Sequence, residues 1–287
     1  MPPRTPPARR IGPIGPRAAY TAGAVRLALL SDVHGNPIAL DAVLAEIAAA
    51  GVDGYLVLGD LAAGGHDPSG AVERLTALPD ARFVRGNTDR ALAEGEPGPS
   101  LREVRRDPGA AARQIEAAAM FAWAHGHLVG RGLLPWVAAL PLEQRLTLPD
   151  GTRLLAAHAA PGSDGSDGRA ITPVQAGGEV RALLAGCEAD LVCVGHTHWP
   201  MDRVVEGVRV VNAGSVSNPW APDLRAGYVL LEAGPDGYRV EQRRVAYDVA
   251  AVLAALRRAG HPTADALGAH FRGERRPPWL PADARPS

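Results

Sequence analysis

Short apolar runs recur along the chain, most of them ending in Gly, Asp, Asn or His and followed by a stretch with helical periodicity. Arg26 to Ser31 reads as a buried strand, and it leads into Asn36–Ala50. There Ile38, Ala39, Leu40, Val43, Leu44 and Ile47 share one helix face, with Gly51 as the stop. Tyr55–Leu58 predicts a second strand, Ala71–Leu78 a helix and Arg82–Val84 a third strand. The stretch from Leu101 to Ala139 predicts helix, broken near Gly130 and Gly132. Beyond it the chain turns strand-rich. Gln144–Leu148 and Thr152–Ala157 alternate on either side of Pro149, Asp150 and Gly151, which predicts a hairpin. Leu191–Val194 predicts a buried strand and Arg209–Val211 another, while Tyr228–Glu232 and Tyr238–Val245 pair across a Gly-Pro-Asp-Gly turn. A last helix spans Asp248–Ala259, stopped by Gly260 and Pro262. The alternation predicts an α/β fold without internal repeats.

Residues 1–24 are rich in Pro, Arg, Gly and Ala and carry no acid, so they predict a disordered leader. Residues 25–260 hold the folded domain, and 261–287 form a C-terminal extension expected to be largely disordered after 272. With 46% hydrophobic and 21% charged residues the chain can bury a sizeable core. The formal net charge of -1 offers no basic field for a stable nucleic-acid complex. All 30 basic residues are arginine, a feature from which no function follows. Cys187 and Cys193 are too few and too isolated for a disulfide framework. No apolar run approaches the roughly 20 residues that span a bilayer, and no signal-type apolar region opens the chain. The expectation is a soluble, cytoplasmic protein with no membrane partner; its oligomeric state is left open.

The candidate chemistry sits at strand ends: Asp32 and His34, then Asp60 after Gly59, Asn87 after Gly86, His158, and His196 and His198 after Gly195. In an open α/β sheet the carboxyl ends of strands line the ligand crevice, so these groups are expected to meet. Two carboxylates, one amide and four imidazoles form a mixed O and N set suited to Mn, Fe, Zn and similar divalent ions. Seven donors exceed one tetrahedral site and suit two adjacent ions sharing a carboxylate. The neighbouring glycines let the backbone pass close to such ions.

The ordered series Asp32-Val33-His34-Gly35-Asn36, Gly59-Asp60, Gly86-Asn87-Thr88-Asp89, His158, Gly195-His196-Thr197-His198 and Asn212-Ala213-Gly214-Ser215 resembles the calcineurin-like metallophosphoesterase superfamily, most of all its compact bacterial and archaeal phosphodiesterase-type branch. The resemblance implies a sandwich of two β-sheets flanked by helices over residues 25–260. It implies Asp32, His34 and His198 around one divalent ion, Asn87, His158 and His196 around a second, and Asp60 between them. Manganese is the first expectation, with Fe, Zn, Ni or Co as alternatives. The implied activity is hydrolysis of a small phosphate ester, diester or monoester, by a metal-bridging hydroxide. Phosphoprotein or dinucleoside polyphosphate hydrolysis, and a non-catalytic metal-binding scaffold, are the alternatives.

Two positions depart from the family pattern. Thr88 stands where many relatives carry a histidine, and a threonine is no effective general acid near pH 7. His66, in the loop after Asp60, is the expected catalytic substitute, and Ala159 stands where relatives often have glycine. Asn87 and Arg90 are candidate substrate contacts, and Trp199, Pro200, Asn218 and Trp220 candidate pocket lining. His125 and His127 fall on different faces of a helix, and His261 and His270 are expected at the surface.

Overall fold

The fold is described from a computed structural model covering residues 23–95, 105–220 and 222–281; residues 1–22 of the expected leader lie outside the described residues. The elements run β1 (Val25–Leu30), α1 (Pro37–Ala50), β2 (Gly54–Val57), α2 (Pro68–Thr76), β3 (Ala81–Phe83) and α3 (Asn87–Glu94). Then come α4 (Pro108–Gly130), α5 (Leu134–Ala138), β4 (Glu143–Thr147), β5 (Arg153–Ala157), α6 (Gly177–Leu184) and β6 (Leu191–Val194). The chain closes with β7 (Met201–Val205), β8 (Val208–Asn212), β9 (Ala226–Gly234), β10 (Gly237–Val245), α7 (Val249–Arg258) and α8 (Ala264–Phe271).

Two mixed sheets of five strands result, ordered β10-β9-β1-β2-β3 and β4-β5-β6-β8-β7. In each, the three parallel strands are the apolar runs of the sequence: β1, β2 and β3 in one, β5, β6 and β8 in the other. The sheets face each other across Leu27, Leu29, Leu56, Leu58, Leu154, Leu191, Val211 and Leu231. Helices α1, α2, α4 and α5 cover the outer face of the first sheet through Leu40, Val43, Val72, Leu128 and Trp136. Helix α6 covers the second through Val180 and Leu184. This is the two-sheet sandwich with flanking helices that the resemblance implied.

The layering brings the C-terminal ends of the parallel strands to one edge, where backbone hydrogen bonds tie their loops together. Asp32 N donates to Gly59 O at 3.1 Å, His34 N to Asp60 O at 2.9 Å and Gly195 N to His158 O at 2.8 Å. Val216 N donates to Ser31 O at 3.0 Å, so the loop after β8 joins them.

Four elements had no counterpart in the sequence pattern, among them α3, which opens on Asn87. Strand β7 mixes Asp and Arg with exposed apolar positions, α6 is short and opens on two glycines, and α8 lies in the expected extension. His261 and His270, expected at the surface, are 4% and 7% exposed. They are buried because α7 and α8 fold against each other on Val252, Leu256 and Phe271, with Ile38 of α1 beneath. Both cysteines are free and buried. Among the described residues no helix is long and apolar enough to cross a membrane.

Candidate metal centre

Asp32 and His34 follow β1, Asp60 follows β2, Asn87 opens α3, His158 follows β5, and His196 and His198 follow β6. Five of these hold left-handed backbone, at φ 55° (Asp32), 47° (His34), 57° (Asp60), 65° (His196) and 57° (His198). Among the described residues only three other non-glycine positions do so, Asp80, Glu188 and Glu206. Such conformations cost on the order of 1 kcal/mol each and persist only where surroundings over-determine them. Here the cross-loop hydrogen bonds do that, and they turn the side chains inward.

Three imidazoles are locked in one tautomer. His34 Nδ1 donates to Ala63 O at 2.7 Å, His158 Nδ1 to Leu58 O at 2.6 Å and His198 Nδ1 to Asn218 O at 3.0 Å. A carbonyl only accepts, so Nδ1 carries the hydrogen and Nε2 of the neutral ring presents its lone pair. Those lone pairs face other donors: His34 Nε2 lies 3.1 Å from His198 Nε2, and His158 Nε2 lies 3.3 Å from His196 Nδ1. Asn87 Oδ1 is 3.0 Å from His196 Nδ1. Asp32 Oδ1 is buried with no hydrogen-bond partner, 3.2 Å from His198 Nε2 and 3.8 Å from His34 Nε2. Asp60 gives Oδ1 to Thr88 N–H at 2.9 Å, leaving Oδ2 3.7 Å from His34 Nε2 and 3.5 Å from His158 Nε2. Asp32, His34 and His198 form one group with ligand atoms within 4.8 Å of one another, and Asp32, Asp60 and His158 form another. All seven candidate ligands thus come together, with Asp60 Oδ2 facing donors of both groups.

Opposed lone pairs beside two buried carboxylates demand positive charge. Burial alone would raise Asp60, but the facing imidazoles, His158 foremost, hold it well below the usual carboxylate range. Burial would raise Asp32 too, and His198 outweighs it. In return, and against their own burial, Asp60 pushes His158 up to about 10 and Asp32 raises His198. Burial, then the charge of His158, pushes His196 down to about 4. In the absence of other cations the pocket recruits protons; its O and N donors fit divalent ions in their place.

Close packing makes that geometry permanent. A Cβ on Gly86 would collide with the Asp60 carboxylate, and one on Gly195 with Ser31 Oγ. Asp89, at the third turn position of α3, accepts from Asp60 N at 2.8 Å, Leu61 N at 2.9 Å and Gly86 N at 2.9 Å. Burial and the Asp60 charge push it up to about 7, against the pull of those N–H groups. Asn212 Nδ2 donates to Gly195 O at 2.6 Å and Thr197 Oγ1 at 2.9 Å. Ser215 Oγ donates to Asp32 O at 2.9 Å. These supporting roles were not read from the sequence, although Asp89, Asn212 and Ser215 stand in its motifs.

The profile of the calcineurin-like phosphoesterase superfamily domain matches residues 25–235. The chain belongs to the calcineurin-like phosphoesterase superfamily. A metallophosphoesterase from Sphaerobacter thermophilus is similar at 25% identity and TM-score 0.66, covering 88% of this chain and 99% of its own. The hypothetical protein PH1004 from Pyrococcus horikoshii OT3 shares the fold at 20% identity and TM-score 0.72, over 88% of this chain and 100% of its own. None of the curated proteins matches.

Of the other candidate residues of this superfamily member, Thr88 and Asn218 touch the seven through their backbone, Thr88 N at Asp60 Oδ1 and Asn218 O at His198 Nδ1. His66 has Asp67, Arg258 and Arg74 as its charged neighbours, and burial lowers its pKa. Its loop turns toward α2 because Asp67 caps that helix, accepting from Gly70 N at 2.8 Å. Thr88 Oγ1 is buried without a hydrogen-bond partner. Arg90 is bound to Glu94 at 2.7 Å and lies 3.7 Å from Asp164, which also takes Arg85 Nε at 3.1 Å. Ala159 is buried in the phosphoesterase core. Trp199, Pro200, Asn218 and Trp220 are partly exposed or border the His198 side, Trp220 with its ring 6.3 Å from that imidazole. His125 and His127 do diverge on α4: one ring meets Leu92 O at 2.8 Å, the other Trp123 at 4.2 Å.

Proposed function

We propose that the chain is a metal-dependent phosphoesterase that hydrolyses a phosphodiester or a small phosphomonoester with two divalent cations, manganese first among them. The observation that carries this reading is the pair of opposed imidazole contacts, 3.1 and 3.3 Å, set beside the orphaned Asp32 Oδ1 and the shared Asp60 Oδ2. Asp32, His34 and His198 would hold one cation, Asn87, His158 and His196 the other, and Asp60 Oδ2 both. Bound divalent ions acidify water and neutralise the charge that builds on phosphoryl oxygens. The chain's own part is to keep the three Nε2 lone pairs aimed inward through Ala63 O, Leu58 O and Asn218 O. Superfamily membership and the likeness to the Sphaerobacter metallophosphoesterase support a hydrolase acting on phosphate esters.

Thr88 bears on the substrate. Its hydroxyl stays protonated at neutral pH and is buried, so it cannot hand a proton to a poor leaving group. That favours substrates whose leaving group departs as a stable anion, among them activated diesters and phosphoanhydrides.

The test is hydrolysis of bis-p-nitrophenyl phosphate and p-nitrophenyl phosphate after metal stripping and Mn²⁺ reloading, for wild type and Asp60→Asn. Losing even an outer partner of a ligand costs about 10- to 100-fold, so Asp60→Asn should cost at least about 100-fold in diester turnover. Bound metal with neither ester turned over would point to a narrower substrate. A protein that takes up no metal would sink the mechanism.

A further inference from the structure

The family profile ends at residue 235, yet the chain beyond it returns to the candidate centre. Helix α8 is anchored on α7 by Phe271, Val252 and Leu256. From that anchor two side chains reach the loop carrying His196 and His198. His270 Nε2 donates to Asn218 O at 2.7 Å, the carbonyl that also takes His198 Nδ1 at 3.0 Å. Trp279 Nε1 donates to Thr197 O at 3.2 Å, the carbonyl that also takes Trp220 Nε1 at 2.9 Å. Thr197 stands between the two ligands in sequence. Two carbonyls are thereby each held by two N–H donors, one from the body of the domain and one from the C-terminal segment. Ring contacts close the arrangement: Trp220 on His270 at 4.3 Å and Trp199 on Trp279 at 5.7 Å.

A carbonyl with both acceptor directions occupied cannot swing. Asn218 O fixes the tautomer and plane of His198, so whatever fixes Asn218 O fixes the direction of the His198 Nε2 lone pair. We propose that the C-terminal segment 264–281 is a working part of the metal centre, with His270 and Trp279 as positioning residues for the His196–His198 ligand loop. The proposal rests on the metal-binding reading above and adds a specific asymmetry. Of the two cation positions, the one built on His198 depends on His270. The one built on His158, whose Nδ1 is held by Leu58 O inside the sandwich, does not.

The experiment is metal titration of the full-length chain, with Mn²⁺ and then with Co²⁺ followed by its visible absorption. It compares wild type, His270→Leu, His270→Gln and Trp279→Phe, with the melting temperature of each metal-free protein alongside. His270→Leu should weaken one of two cation equivalents by about 10- to 100-fold and shift the Co²⁺ spectrum of that equivalent, leaving the other unchanged. His270→Gln keeps an N–H donor at the same reach and should restore most of the loss, which a purely structural role would not predict. Trp279→Phe keeps a ring and loses its N–H to Thr197 O, which stands between His196 and His198, and should weaken both equivalents several-fold. If His270→Leu does not fold, Trp279→Phe and His270→Gln decide. Two cations bound with wild-type affinity and spectrum in the variants would overturn the positioning role and leave the phosphoesterase reading standing. A wild type that takes up no cation would overturn both.

Discussion

At the strand ends, imidazoles meet carboxylates; beside Trp123 they meet an indole and one another. His127 and His261 lie with their rings 4.2 and 4.7 Å from Trp123, and His66 and His127 both bear on His261, whose burial pushes it down to about 4. His66 Nδ1 and His261 Nε2 are buried with no hydrogen-bond partner. The nearest carboxylate, Asp67, is engaged in capping α2. Three histidines in one neighbourhood thus make packing, not a cation site. At the strand ends the same residue type becomes a donor set because carbonyls lock the tautomers and two buried carboxylates supply the charge.

The largest effect expected from this contrast is on metal affinity as a function of pH. His158 is held up at about 10, so its Nε2 carries a proton at pH 7 before a cation arrives, and the Asp32 charge raises His198 in the same direction against its burial. Loading displaces protons held this way, and affinity should climb with pH by about tenfold per pH unit for each proton released. Calorimetric titration at pH 6 and pH 8, in buffers of different ionisation enthalpy, reads both the slope and the proton count. A flat affinity with no proton release would erase the distinction between the two histidine groups.

Next in size is Asp89→Ala. It strands three buried backbone N–H groups and should cost about 3 kcal/mol or more of stability in urea unfolding. A loss below about 1 kcal/mol would mean that the loops hold the ligands without it.

The smallest effect belongs to the second group. His261 has a folded pKa of about 4, below its ordinary value of 6.5. Its neutral burial therefore contributes fully above pH 6.5, and that contribution is lost as pH falls toward 4. The loss is on the order of 2 kcal/mol. His261→Gln removes the ionisation and should flatten that part of the stability profile; an unchanged acid limb would show that the ring charges without penalty.

Strand β6 was legible because four consecutive apolar residues precede Gly195, and β1 for the same reason. The β4–β5 hairpin was legible from its turn. The seven candidate ligands were legible because each follows such a run, and the sheets bring the ends of those runs together. What stayed hidden depends on contacts far apart in sequence. Nothing near residue 279 announces that its indole reaches Thr197, and nothing near Asp89 announces that its carboxylate gathers N–H groups from two loops. His66 was expected to open onto the crevice; Asp67 N donates to Gly35 O at 3.0 Å while its side chain starts α2, and the charged groups that bear on His66 are Asp67, Arg258 and Arg74.

The left-handed backbone at Asp32, His34, Asp60, His196 and His198 sets a direction for evolutionary change. Glycine is at ease in that conformation and a branched or bulky side chain is not. Selection for bound cations therefore works against the backbone's own preference at five positions simultaneously. Once such selection lapses, exchange of these residues for glycine would relieve the backbone strain without touching the apolar residues between the two sheets. A lineage of this fold would then shed its chemistry before its architecture, and would do so first at the tips of β1, β2 and β6.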